Sequence, residues 1–424
     1  MTIPDPWLLA FSITTLLLLL GTTSGLVNSE LWMSEPLVCA VAGVLLGPVM
    51  FGFIRIDPGH DATARMVFRE AARVTLAIAV LASAIRLPRG WLRRRWRGLS
   101  VALGPGMLLM WAAGTAVTFL CLGLPILESC LIGAILAPTD PVLSAPVVSG
   151  PLAQRTVPDD LRHAINAESG INDGLAQPFV MVPLFVILAG RPADHAQAGG
   201  HGVGDWLFHV MVIEVGSAVT LGAAAGYVAG LCLRWAGRHP DAERSSLLTI
   251  ALALALATLA GLQVIGGNGV LGAFVAGAVL NESFDDEQEE HQEHFNEAIA
   301  RFFDLPIMFL LGAAAPWAAW HQMGWRAPVF ALCILLFRRL PAWLLLGGLM
   351  SWTRPLSHRL FAGWFGPIGA AALFYACDAQ EVTGIGALWP VVSLAAAASV
   401  VAHGITGTHL SAFLGRSRQR HDTP

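Results

Sequence analysis

Two short runs carry acids among residues that are otherwise almost all apolar. The first reads Gly133-Ala134-Ile135-Leu136-Ala137-Pro138-Thr139-Asp140-Pro141-Val142. Pro138 and Pro141 flank a Thr-Asp pair, and each proline lacks a backbone donor and crowds the turn before it. Local unwinding follows, which frees carbonyl oxygens beside the side-chain oxygens of Thr139 and Asp140. That set suits a hard monovalent cation such as Na+. A proline-kinked helix with Asp140 capping its second half is the plainer reading, and the two can coexist.

The second run reads Asn166-Ala167-Glu168-Ser169-Gly170-Ile171-Asn172-Asp173-Gly174. Ser169, Asn172 and Asp173 stand at i, i+3 and i+4, so they share one helical face. Desolvation and a like-charged neighbour both favour the protonated form of a carboxylate. An acid so placed holds a proton or a metal cation in turn, which is what an exchanger requires. Asp173 and Asp140 are therefore the predicted Na+ and proton site, with Thr139, Ser169 and Asn172 around them. Glu168 lies on a different face and needs a cationic partner. Arg338 and Arg339, in Leu336-Phe337-Arg338-Arg339-Leu340-Pro341, both offer one, with Arg339 the first choice. Alternatively both mark a helix end and snorkel to the surface. A second Gly/Pro interruption, Gly366-Pro367, stands in Trp364-Phe365-Gly366-Pro367-Ile368-Gly369-Ala370. Two broken helices, one in each half of a chain, point to an inverted repeat whose breaks cross at the binding site.

These residues sit in a chain of 424 residues, 55% hydrophobic and 13% charged, against about a quarter charged in soluble domains. Apolar stretches of about 20 residues recur, each able to cross roughly 30 Å of hydrocarbon as a helix. Alternating strand patterns are missing, so an all-α polytopic membrane protein is predicted and a barrel is not. Thirteen spans are expected, near 7–27, 33–53, 67–87, 99–123, 127–149, 161–189, 206–235, 245–264, 268–282, 297–319, 326–350, 358–378 and 387–413. The first is read as a retained helix, because no basic n-region precedes it. Charged residues within spans are expected to cluster in the fifth and sixth. Gly43 with Gly47, and Gly222 with Gly226, are expected to serve helix packing.

The chain has no lysine, so arginine alone reports orientation. With the loop bearing Arg86, Arg89, Arg93, Arg94, Arg95 and Arg97 placed in the cytoplasm, 17 arginines lie inside and 6 outside. The N-terminus is then outside and the C-terminus cytoplasmic. The acidic run 282–297, with His291 and His294, is expected to be a solvated cytoplasmic loop; a pH-sensing mouth is the sharper alternative. The loop 190–204 is expected to be a flexible linker. His403, alone in the last span, is expected to be a partnered polar residue. The six cysteines are scattered without metal or disulfide spacing. A net charge of -4 gives no reason to expect nucleic acid. No catalytic set or phosphate loop appears, so neither an enzyme nor a cofactor is expected.

Thr139-Asp140-Pro141, followed by Glu168-Ser169-x-x-Asn172-Asp173-Gly174, resembles the cation:proton antiporter superfamily, specifically its NhaP-type sodium/proton exchangers. Asn281-Glu282 and Leu310-Leu311-Gly312 are similar too, and the resemblance covers nearly the whole chain. It implies an NhaA-like antiporter fold of thirteen helices and a homodimer in the cytoplasmic (inner) membrane. It implies dimerisation helices over 1–97 and 236–321, ion-binding core helices over 98–190 and 322–413, a linker helix over 206–235 and a tail over 414–424. It implies exchange of H+ for Na+ by alternating access in the service of pH homeostasis, and a Glu168–arginine pair. The Asn172-Asp173 form resembles the electroneutral branch, which fits one exchangeable carboxylate. K+/H+ or Li+/H+ exchange on the same fold, and a cation channel, are the alternatives. Two departures stand out. Ala82-Ser83-Ala84 replaces the third-span glutamate of many relatives, and Ile368 replaces the arginine of a Gly-x-Arg-Gly pattern.

Overall fold

The computed structural model describes residues 6–30, 33–190, 203–237, 247–284 and 302–422. These form helices and connecting turns, with no strand among the described residues. The first three helices are α1 (Pro6–Glu30), α2 (Glu35–Leu46) and α3 (Ala62–Ile85). The Asp61 carboxylate starts α3 by accepting from the N–H groups of Thr63 and Ala64. Next come α4 (Trp91–Val101) and α5 (Met107–Leu122), joined by a π-helical stretch over Ala102–Gly106. Pro105 lies within that stretch and explains it, since its ring removes one α-helical bond.

The fifth expected span is divided. It runs as α6 (Ile126–Ile135), an irregular segment, α7 (Ala145–Val148) and α8 (Gly150–Thr156). Long α9 (Asp159–Ala189) follows and carries the second acidic run. After it come α10 (Val203–Phe208), a second π-helical stretch over His209–Gly216, and α11 (Ser217–Gly237). The expected spans 245–264 and 268–282 fall on α12 (Leu247–Val264) and α13 (Gly269–Asn281). Then come α14 (Phe302–Ala313), α15 (Trp317–Gln322), α16 (Arg326–Phe337) and α17 (Leu340–Leu346). Last are α18 (Leu356–Trp364), α19 (Ala370–Thr383) and α20 (Leu388–Asp422).

Among the described residues, five helical stretches are long and apolar enough to cross a membrane: 91–122, 159–189, 209–236, 326–349 and 388–416. Six shorter apolar helices accompany them. The eleventh expected span differs from expectation, because it is interrupted at Arg338–Arg339 rather than continuous. Pro341 sits at the start of α17, where its missing N–H matters least. Small residues set the closest approaches. Gly43 of α2 lies on the Phe309 carbonyl and Ala313 of α14, while Gly222 and Gly226 of α11 lie on Gly272 and Ala276 of α13. Most of the loop 190–204 and of the acidic run 282–297, with His291 and His294, lies outside the described residues.

Candidate cation site at two crossing helix breaks

The break after α6 and the break between α18 and α19 meet. Asp140 stands in the first and is 1% exposed. Its Oδ1 accepts from the N–H groups of Val142 (2.8 Å) and Leu143 (3.0 Å), capping the turn that follows. Its Oδ2 accepts from the N–H of Ala370, the first residue of α19, at 2.8 Å. The Asp140 N–H in turn donates to the Pro367 carbonyl at 2.9 Å. One residue thus caps a turn in one break and a helix start in the other, and ties the breaks together. Gly369 is needed for this approach, since a β-carbon there would run into the Asp140 carboxylate.

Asn172 clamps the unwound strand from α9. Its Oδ1 accepts from the Thr139 N–H (3.0 Å), and its Nδ2 donates to Thr139 Oγ1 (2.9 Å) and Glu168 Oε1 (3.0 Å). Thr139 Oγ1 also bonds Ser169 Oγ at 2.9 Å. All of these side chains are buried. Every hydrogen-bonding position of the Asn172 amide group except one carbonyl lone pair is occupied, which makes it a clamp.

The two arginines divide the remaining work. Arg339 meets Glu168 with two parallel bonds of 2.7 Å each, and its guanidinium also lies over the Trp343 ring, 4.6 Å from the centroid. Gly366 gives it room. Among the described residues, Arg338 does not pair with an acid. Its Nη1 donates to the carbonyls of Leu136 (2.5 Å), Ala137 (3.1 Å) and Pro138 (3.0 Å), and its Nη2 donates to the Gly366 carbonyl. The carbonyls freed by the prolines, read from sequence as cation ligands, are thus already occupied by a guanidinium. Both arginines are buried, so neither snorkels.

Asp173 is the exception. It is fully buried, and neither carboxylate oxygen has a hydrogen-bond partner. Its backbone is held firmly. Tyr375 of α19 donates its hydroxyl to the Asp173 carbonyl at 2.7 Å, and Asn268 Nδ2 donates to the Gly174 carbonyl at 2.7 Å. The charges of Asp140, Glu168 and Asp304 all reach it.

Sequence reasoning missed Tyr375, Asn268, the carbonyl-binding role of Arg338, and Asp304. It also placed the intramembrane charges in two neighbouring spans, yet Asp304 on α14 and Glu214 in the second π-helical stretch are buried as well. Glu214 has an amide partner in Gln177, at 2.8 Å. A lone acid in the apolar run Phe302-Phe303-Asp304-Leu305 was the available signal. Ser83, at the position of the missing third-span glutamate, donates to the Asn166 carbonyl at 2.9 Å and bonds its side-chain Oδ1 at 3.0 Å. Asn281 and Glu282 hold the loop after α3, through the Leu87 carbonyl and the Gly90 N–H. His403 bridges the carbonyls of Ser399 and Trp364.

Crossed helix breaks around buried, fixed charges define a multi-pass secondary-transporter architecture. Residues 13–413 match the family described as "Sodium/hydrogen exchanger, transmembrane", and the chain belongs to that family of transporters. A probable Na+/H+ antiporter of Schizosaccharomyces pombe is 30% identical over 89% of this chain and 52% of its own length. A Na+/H+ antiporter of Saccharomyces cerevisiae is 30% identical over 84% of this chain and 36% of its own length. The chain thus spans about half, or less, of the length of these relatives. A second Na+/H+ antiporter of S. pombe is 28% identical and is covered over 90% of its length. The structure of the sodium proton antiporter MjNhaP1 from Methanocaldococcus jannaschii superposes with a TM-score of 0.71. The superposition covers 96% of this chain and 98% of that one at 17% identity, a likeness of fold.

Proposed function

We propose that this chain is a Na+/H+ antiporter of the cytoplasmic membrane, taking H+ and Na+ by turns on the Asp173 carboxylate as the site opens to one side and then the other. The observation that carries the reading is Asp173 itself, a fully buried acid with both oxygens free beside a crossing whose charges are all partnered. The neighbouring oxygens of Asp140, Thr139 and Ser169 complete the site. Backbone N–H groups take three of the roughly four lone-pair positions of the Asp140 carboxylate, so it offers the ion its field and one remaining position. Asn172 positions the unwound strand, and Glu168 with Arg339 locks α9 to the α16–α17 junction. With Asn172 where a second acid would stand, these two motifs provide one exchangeable charge, which favours exchange of one H+ for one Na+ without net charge movement.

The arginine bias supports a cytoplasmic C-terminus and an outer N-terminus. The working unit is a homodimer, joined through helices of 1–97 and 236–321. The helices of 98–190 and 322–413 move as the core, with 206–235 as the linker between them. Purified chain in proteoliposomes with an internal pH dye tests the function. Na+ added outside should move protons, and Asp173→Asn should not. Proton movement with K+ or Li+ alone would reassign the ion. Cation current uncoupled from pH would make the chain a channel.

A further inference from the structure

Asp304 lies near the start of α14, is 1% exposed, and has no hydrogen-bond partner on either carboxylate oxygen. Among the described residues, Asp173 is the other carboxylate in that condition. The two lie within electrostatic reach of each other, and Asp140 lies within reach of both. Among the described residues, Asp304 forms no ion pair. The titratable groups facing it are Asp140 and Asp173 from the core helices and the Cys39 thiol from α2. An acid left alone in the apolar interior is strongly unfavourable and persists where an ion or proton comes to it. Nor is Asp304 free to swing away to water. The Thr75 hydroxyl of α3 donates to the adjacent Phe303 carbonyl at 3.1 Å, and α14 is seated on α2 through Gly43 and Gly312.

We propose that Asp304 is a ligand of the transported cation, reaching it from α14 while Asp173 reaches it from α9. The proposal rests on the antiport reading above and divides the labour within it. Asp173 carries the exchanged proton, and Asp304 helps to hold the cation.

Asp304→Asn and Asp304→Glu, made in the full chain, test this with two measurements. The first is the rise in melting temperature that Na+ gives the detergent-purified protein, since a ligand that binds only the folded state stabilises it in proportion to its affinity. The wild type should show the rise, and Asp304→Asn should lose most of it. Asp304→Asn should melt no lower than wild type without Na+, because it removes an uncompensated charge. The second is exchange in proteoliposomes. Asp304→Asn should need about tenfold more Na+ for half-maximal rate, a loss of about 1.4 kcal/mol in cation binding, with the maximal rate little changed. Asp304→Glu should recover part of both losses.

A wild-type Na+ response in Asp304→Asn overturns the proposal. So does equal impairment of the Asn and Glu variants, or an Asp304→Asn protein that aggregates, since either marks a packing role. If wild type shows neither exchange nor a Na+-dependent rise, the antiport reading fails instead.

Discussion

At the crossing of the two helix breaks every charge has a partner, while one turn further along α9 Asp173 has none. The contrast is chemical, because burial is equal in the two places. Asp140 accepts three backbone N–H groups, Glu168 faces a two-pronged guanidinium, and Arg338 gathers four carbonyls. Those contacts hold two interrupted helices in one geometry. Asp173 contributes nothing to that framework except its backbone. Buried acids thus stand in two different conditions in this chain, and their partners tell these apart more reliably than position in a span.

The contrast is sharpened first by Asp173→Asn. Exchange should fall to the level of empty liposomes, while the melting temperature stays level or rises, as expected when an uncompensated buried charge is removed. A drop in both would place Asp173 in the framework and erase the distinction. Arg339→Ala should do the reverse. It strands Glu168 and should lower stability by about 3–5 kcal/mol, seen as aggregation or a large fall in melting temperature. Glu168→Gln combined with Arg339→Gln should recover part of that loss. Arg338→Ala should be milder, about 1–3 kcal/mol, because carbonyls left without a donor are neutral and water reaches such a gap more easily than it neutralises a charge. Arg338→Lys should restore only part, since a compact ammonium lacks the planar spread of donors. The smallest effect belongs to Arg65→Ala. Its 2.8 Å pair with Glu381 is partly exposed, and its loss should shift stability by less than about 1 kcal/mol.

Much of the framework was legible in the chain. Pro138, Pro141, Gly366 and Pro367 mark the two breaks because proline removes a donor wherever it stands. Asn172 and Ser169 read correctly as neighbours because helical spacing fixes which side chains share a face. What could not be read were the partners chosen across distance. The bond from Ala370 to Asp140 spans 230 residues, and no local pattern encodes it. Arg338 and Arg339 are adjacent and chemically identical. Only the third interruption, at the end of α16, turns one towards Glu168 and the other towards the carbonyls. Asp304 escaped because a single acid in an apolar helix has no spacing to betray it. Its significance appears only when α14 is seen beside the core.

The four carbonyls gathered by Arg338 bear on how ions would traverse this protein under the proposed exchange. In potassium-channel filters, rows of backbone carbonyls stand open, replace the hydration shell and let several ions queue and push one another through. Here the comparable oxygens are saturated by a tethered positive charge that never leaves. No file of dehydrated ions can assemble along that backbone. In the exchange proposed above, passage would be left to carboxylate chemistry, one ion per visit, at a pace set by movement of the protein rather than by diffusion along a pore.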